Sequence, residues 1–142
     1  MTEAERNEEI REYVLDNYSV ASTWEPENVK NWCAWAAENG FLFLCYDIPG
    51  DQGKLVGLCI ARPLSIARIS GEIADTDYDL DGEIIYVDLT ISTAGKQPMR
   101  AMMQAILQKM GGKQIIAFKR LKTQARFNIY RLGDFARKLL GA

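Results

Sequence analysis

Residues 83–118 read as strand, helix, strand. Glu83 to Thr93 (EIIYVDLTIST) is a run dominated by β-branched and aromatic residues, which favour the pleated, half-buried surface of a sheet. Ala94-Gly95-Lys96-Gln97-Pro98 breaks the run and opens a helix, with Met99, Met102, Met103, Ile106 and Met110 recurring at helical spacing on one face. Gly111-Gly112 closes the helix, and Lys113 to Phe118 (KQIIAF) is a second strand. Two strands joined through a helix predict a parallel, right-handed crossover. The chain is therefore expected to be an α/β protein built on a mixed sheet.

The flanking segments fit that sheet. Thr2 and Glu5 have the spacing of a capping box, and Ile10, Tyr13, Val14 and Asn17–Tyr18 continue a helical stripe. Pro26 suits the first turn of a second helix, whose stripe is Val29, Trp32, Cys33 and Ala36 and whose stop is Gly40. Phe41 to Tyr46 and Lys54 to Ala61 read as adjacent antiparallel strands around an Asp47–Gly53 turn. Residues 63–82 carry no clear period and hold a short helix or strand. After the 113–118 strand a basic helix is expected over 122–132, then a short helix over 135–140 capped by Asp134. With 142 residues and no linker or repeat, the chain reads as a single domain over 1–142, with helices on both faces of the sheet.

Composition narrows the chemistry. There is no histidine, which excludes Ser-His-Asp and Cys-His catalysis and histidine-ligated zinc or haem. Three cysteines cannot build a four-cysteine zinc site. Cys33, Cys45 and Cys59 each sit in an apolar stretch and read as buried free thiols of a reducing compartment. No apolar run approaches the ~20 residues of a membrane span, and the acidic start MTEAERNEEIREY resembles no targeting signal. The expected location is cytoplasmic, with no membrane partner. Charge is uneven: residues 1–50 carry ten acids and three bases, whereas residues 113–142 carry one acid and eight bases. The two ends either neutralise each other in the fold or leave a basic surface for an anion.

The order of elements, the strand Ile85-Tyr-Val-Asp-Leu-Thr-Ile91 and the ending Tyr130-Arg-Leu-Gly133-Asp-Phe135 together resemble the GNAT superfamily of N-acetyltransferases. The likeness covers about residues 5–136. It implies an acyl-CoA N-acyltransferase-like fold, apparently truncated at both ends, with the family's first and last strands missing. It also implies acetyl-CoA as cofactor, with pantetheine along Leu89, Thr90 and Ile91 and the phosphates at Lys96, Gln97, Met99, Arg100 and Ala101. In that loop Met99 replaces the family's inner glycine, and Pro98 removes one backbone N–H. Lys96 and Arg100 would compensate by charge. Asp88 or Glu83 would serve as base or hold a water, and Tyr130 would serve as acid. Each has a structural alternative: Asp88 as a paired carboxylate, Glu83 as a solvated strand start, Tyr130 as a core aromatic.

Asp77, Asp79, Asp81, Gly82, Ile84 and Asp88 occupy positions 1, 3, 5, 6, 8 and 12 of a calcium loop. The β-branched run from Ile84 leaves no exiting helix, so an acidic hairpin turn with Asp81-Gly82 at its tip is the better reading, and no metal is expected. The basic tail interleaves with Phe118, Phe127 and Tyr130, a nucleic-acid pattern that the overall pI near 5.2 opposes. Trp32 lies on its helix's apolar stripe, and Trp35 is expected to be partly covered. Two functions stand: an acyl-CoA-dependent N-acyltransferase acting on a small-molecule or protein amine, or a catalytically inactive relative acting as an interaction module. Exposed sheet edges would favour a homodimer.

Overall fold

The computed structural model describes residues 2–49, 53–69, 73–74, 76–119 and 127–141. Helix α1 (Glu3–Asn17) opens on the expected capping box: Thr2 Oγ1 accepts from the Glu5 amide at 3.1 Å, and the Glu5 carboxylate accepts from the Thr2 amide at 3.3 Å. It buries Ile10, Tyr13 and Val14. A 3-10 turn (Ser19–Thr23) leads to α2 (Pro26–Glu38), which has Pro26 in its first turn and buries Val29, Cys33 and Ala36. Trp32 and Trp35 are half-buried, and Trp35 packs against Phe41 and Tyr78.

Strands β1 (Leu42–Tyr46) and β2 (Leu55–Leu64) pair antiparallel, as their sequences predict. β2 runs three residues beyond the expected end and is buried along almost all of its length. A four-residue helix, α3 (Ile66–Ile69), follows. Strand β3 (Ile84–Ser92) pairs antiparallel with β2, α4 (Lys96–Met110) follows it, and β4 (Ile115–Lys119) lies parallel to β3. The crossover read from residues 83–118 is therefore parallel. β5 (Phe127–Arg131) pairs antiparallel with β4, and α5 (Leu132–Leu140) ends the described chain. Among the described residues, five strands lie in chain order, β1-β2-β3-β4-β5, in one mixed sheet accompanied by five α-helices.

Neighbouring residues of β2 enter different clusters. Leu58 and Ile60 pack with α1 and α2, whereas Cys59 and Ala61 pack with Met102, Met103 and Ile106 of α4 and Ala136 of α5.

Four sequence expectations are corrected. Residues 127–131 are strand, not the end of a basic helix over 122–132, and 120–126 lie outside the described residues. Phe-Asn-Ile-Tyr-Arg supplies three strong β-formers, and β4 offers them a partner edge. The expectation that no strand follows residue 118 fails with it. The last helix begins at Leu132, not 135; Asp134 lies within its first turn and faces Arg137 at 3.5 Å instead of capping. Asp81-Gly82 is not a two-residue hairpin tip. It ends the long β2–β3 connection, where the Gly82 amide donates to the Asp79 carbonyl at 2.9 Å and the Asp79 amide to the Pro63 carbonyl at 2.8 Å.

Candidate functional site

The β3–β4 pairing runs from Ile84↔Ile115 to Val87↔Phe118 and, among the described residues, stops there. β3 continues to Ser92, held on its other side by β2 through Leu89↔Ile60, Thr90↔Cys59 and Ile91↔Leu58. Among the described residues, β3 thus runs on past its last pairing with β4. A cavity of about 250 Å³ lies beside this part of β3. Asp88, Leu89 and Thr90 form one wall, Met99 and Met102 of α4 another, and Phe118, Phe135 and Leu139 a third. Tyr18, from the α1–α2 connection, reaches it as well.

Of the residues expected to hold a cofactor, Leu89, Thr90 and Met99 line this cavity, and so does Asp88. Ile91 is buried in the α1–α2 cluster instead. Lys96, Gln97 and Ala101 are exposed on the first turns of α4. Arg100 Nε donates to the Leu139 carbonyl at 3.2 Å, tying α4 to the end of α5. Gly95, at φ +72°, turns the chain into α4 through a conformation that L side chains rarely adopt, and no side chain caps the helix there. Pro98 is buried against Gly57, where any Cβ would lie 2.8 Å from the proline's own.

Asp88 answers the question its sequence position raised. Arg62, only 2% exposed, donates from Nε at 2.9 Å and from Nη2 at 2.8 Å to the two carboxylate oxygens. Its Nη1 donates to the carbonyls of Ala74 at 2.7 Å and Asp77 at 2.6 Å. The guanidinium also lies 5.4 Å from the Tyr86 ring centroid. A buried charge persists where pairing and hydrogen bonds compensate it, and this arginine uses all three nitrogens.

Glu83 and Tyr130 stand outside the cavity. Glu83, exposed at the start of β3, accepts from the Ile66 amide at 2.5 Å. Tyr130 lies on β5 with its ring stacked on Phe118 at 5.8 Å and tilted against Phe135 at 5.5 Å. The tyrosine that does line the cavity is Tyr18. Burial pushes its hydroxyl pKa up, and the nearby Asp88 charge adds to the shift. Cys59 also lines it; burial pushes the thiol up to about 12, so it stays protonated at neutral pH.

The calcium-loop residues serve other ends. The Asp77 carboxylate accepts from Arg68 Nε at 3.0 Å and from the Ala74 amide at 3.0 Å, and Arg68 holds its pKa below the usual carboxylate range. Asp79 accepts from the Asp81 amide at 3.0 Å. Among the described residues, no three His, Cys, Asp or Glu side chains gather where they could hold a metal ion. No described helix is long and apolar enough to cross a membrane.

Sequence reasoning missed Arg62, Tyr18 and the α5 wall. Arg62 carried a signal: the single charge within LVGLCIARPL must find a partner. The register places it opposite Tyr86, two residues from Asp88. Tyr18 and Leu139 carried none, because each reaches the cavity from a distant part of the chain. No protein-family model matches the chain, and no curated protein sequence does.

Proposed function

We propose that this chain is a GNAT-like domain that binds an acyl-CoA and transfers the acyl group to an amine. The observation that carries the reading is the apolar cavity beside β3, lined by Leu89 and Thr90 of that strand and by Met99 and Met102 of α4. A thioester with its pantetheine arm needs an apolar slot bordered by strand backbone, and its phosphates need a helix N-terminus or cations. Leu89 and Thr90 supply the strand wall, and Lys96 and Gln97 stand on the first turn of α4. Helical layers on both faces of the sheet belong to the same reading; the division of β2 between an α1–α2 cluster and an α4–α5 cluster supports them.

In this mechanism the acyl group enters the cavity and the phosphates lie outside, at Lys96 and Gln97. Acyl-CoA would supply the activated acyl group for attack by the amine; Asp88 would hold the water that takes the amine's proton, and the released thiolate would be protonated from the cavity wall. Tyr18 is the hydroxyl that faces the cavity, so the role of acid goes to it and not to Tyr130. Three free cysteines suit a cytoplasmic setting. Self-association is assigned to the β5 edge, where Ile129 is 57% exposed; light scattering of the wild type and Ile129→Lys tests it, and a monomer at high concentration removes it.

A second reading, a catalytically silent relative that serves as an interaction module, draws on one specific observation. Both Asp88 oxygens are already committed to Arg62.

Calorimetry with acetyl-CoA tests the binding reading. Micromolar binding that Lys96→Glu weakens supports it, and no heat at millimolar ligand overturns it. Amine-dependent release of coenzyme A then separates the two readings. Turnover that falls in Tyr18→Phe supports transfer, and binding without turnover on any amine supports the silent module.

A further inference from the structure

Cavity size and lining bear on which acyl group fits. The volume is about 250 Å³. An apolar cavity of roughly 150 Å³ takes up benzene, so a single acetyl methyl would leave most of this space without contacts. The floor is deep: Met102, Met103, Ile106 and Ile116 are each at most 5% exposed. Methionine's unbranched, polarisable side chain adapts to irregular apolar guests. Polar groups among the lining residues, at Tyr18, Asp88 and Thr90, belong to the α1–α2 connection and to β3, whereas the α4 and α5 lining is wholly apolar.

We infer that the cavity is an acyl-chain pocket, selective for a medium-length acyl group of about six to ten carbons over acetyl. The assignment rests on the acyl-CoA reading above. The carbonyl end sits beside Leu89 and Thr90, and the chain runs between α4 and α5 towards Met102 and Leu139. Each methylene taken out of water strengthens binding about fourfold. If only two or three of the six extra methylenes of an octanoyl group are buried, the gain over acetyl is about thirtyfold.

The test is calorimetry on the full chain with coenzyme A, acetyl-CoA, octanoyl-CoA and sodium octanoate. Octanoyl-CoA binding about thirtyfold tighter than acetyl-CoA supports the pocket. Met102→Trp fills its floor and should erase that preference. Leu139→Trp narrows the half-buried wall on α5, a gentler change, and should reduce the preference even if Met102→Trp does not fold. Equal affinity for acetyl-CoA and octanoyl-CoA overturns the inference and leaves the coenzyme reading intact. Octanoate binding to which coenzyme A adds nothing overturns the coenzyme reading and keeps the pocket. Binding of none of the four overturns both.

Discussion

Arg62 and Asp88 form a two-point ion pair across β2 and β3, with the arginine 2% and the aspartate 10% exposed at their side chains. The same guanidinium ties the Ala74 and Asp77 carbonyls to the sheet. One arginine thus fixes a carboxylate at the cavity wall and anchors the connection between two neighbouring strands.

Breaking that pair should be expensive. Arg62→Met takes the two-point guanidinium contact away from a nearly buried carboxylate and removes one donor each from the Ala74 and Asp77 carbonyls, a loss of about 3–5 kcal/mol. Asp88→Asn keeps the shape but removes the charge and should cost less. Arg62→Met with Asp88→Leu removes both charges and should recover much of the single-variant loss. Urea unfolding of the three variants checks the order; a loss under about 1 kcal/mol for Arg62→Met would show that the pair is dispensable.

The entry to α4 is set by a close contact. Adding a Cβ at Gly57 brings it to 2.8 Å from Pro98 and 3.2 Å from the Met102 methyl. Gly57→Ala should therefore cost about 1–3 kcal/mol by overpacking. Because the displaced residues lead into the cavity, ligand affinity should fall together with thermal stability. Unchanged stability would mean that α4 shifts freely on the sheet.

The N-terminal helix carries a pH signature. Hydrogen bonds from Thr2, side chain first, hold the Glu5 pKa below its ordinary value. A carboxylate depressed in the fold stabilises it above the unfolded pKa, and that contribution disappears as pH falls through the folded pKa. Asp77, depressed by Arg68, has the same sign. Stability should thus decline below about pH 4, near the usual carboxylate range. Thr2→Ala should remove about 1 kcal/mol at neutral pH and flatten the acid limb. Urea midpoints at several pH values read both effects.

Much of the frame was legible because it is local. The Thr2–Glu5 box, Pro26 in the first turn of α2 and the methionine stripe of α4 are all encoded within a few residues. β5 was not. Phe127–Arg131 follows a basic stretch and carries apolar residues that fit a helical stripe as well as a strand; its pairing with β4 decides the matter. Asp88, Leu89, Thr90 and Met99, which the resemblance singled out, line one cavity because a strand end and a helix start are adjacent in sequence. Arg62 and the α5 wall meet them through strand register and helix docking, which no local spacing records. Tyr130 was read on a helix for the same reason, and the pairing with β4 places it on β5.

The cysteines offer a last, independent check on the cavity wall. Cys33 and Cys59 are buried and Cys45 is half-buried, and all three are free. Burial raises Cys33 to about 11 and Cys59 to about 12. Since the thiolate is the reactive form, both should resist a disulfide reagent at pH 8 in the folded protein. Cys45 should react first, and all three should react in denaturant. The raised values also bear on stability. Between the unfolded value near 9 and the folded values, the native state holds more protons than the unfolded chain, so stability should fall as pH rises through that window. Cys59 lines the cavity, so a bound acyl group should slow its labelling further and leave Cys33 unchanged. Rapid labelling of Cys59 in the free native protein would contradict the closed floor on which the pocket depends.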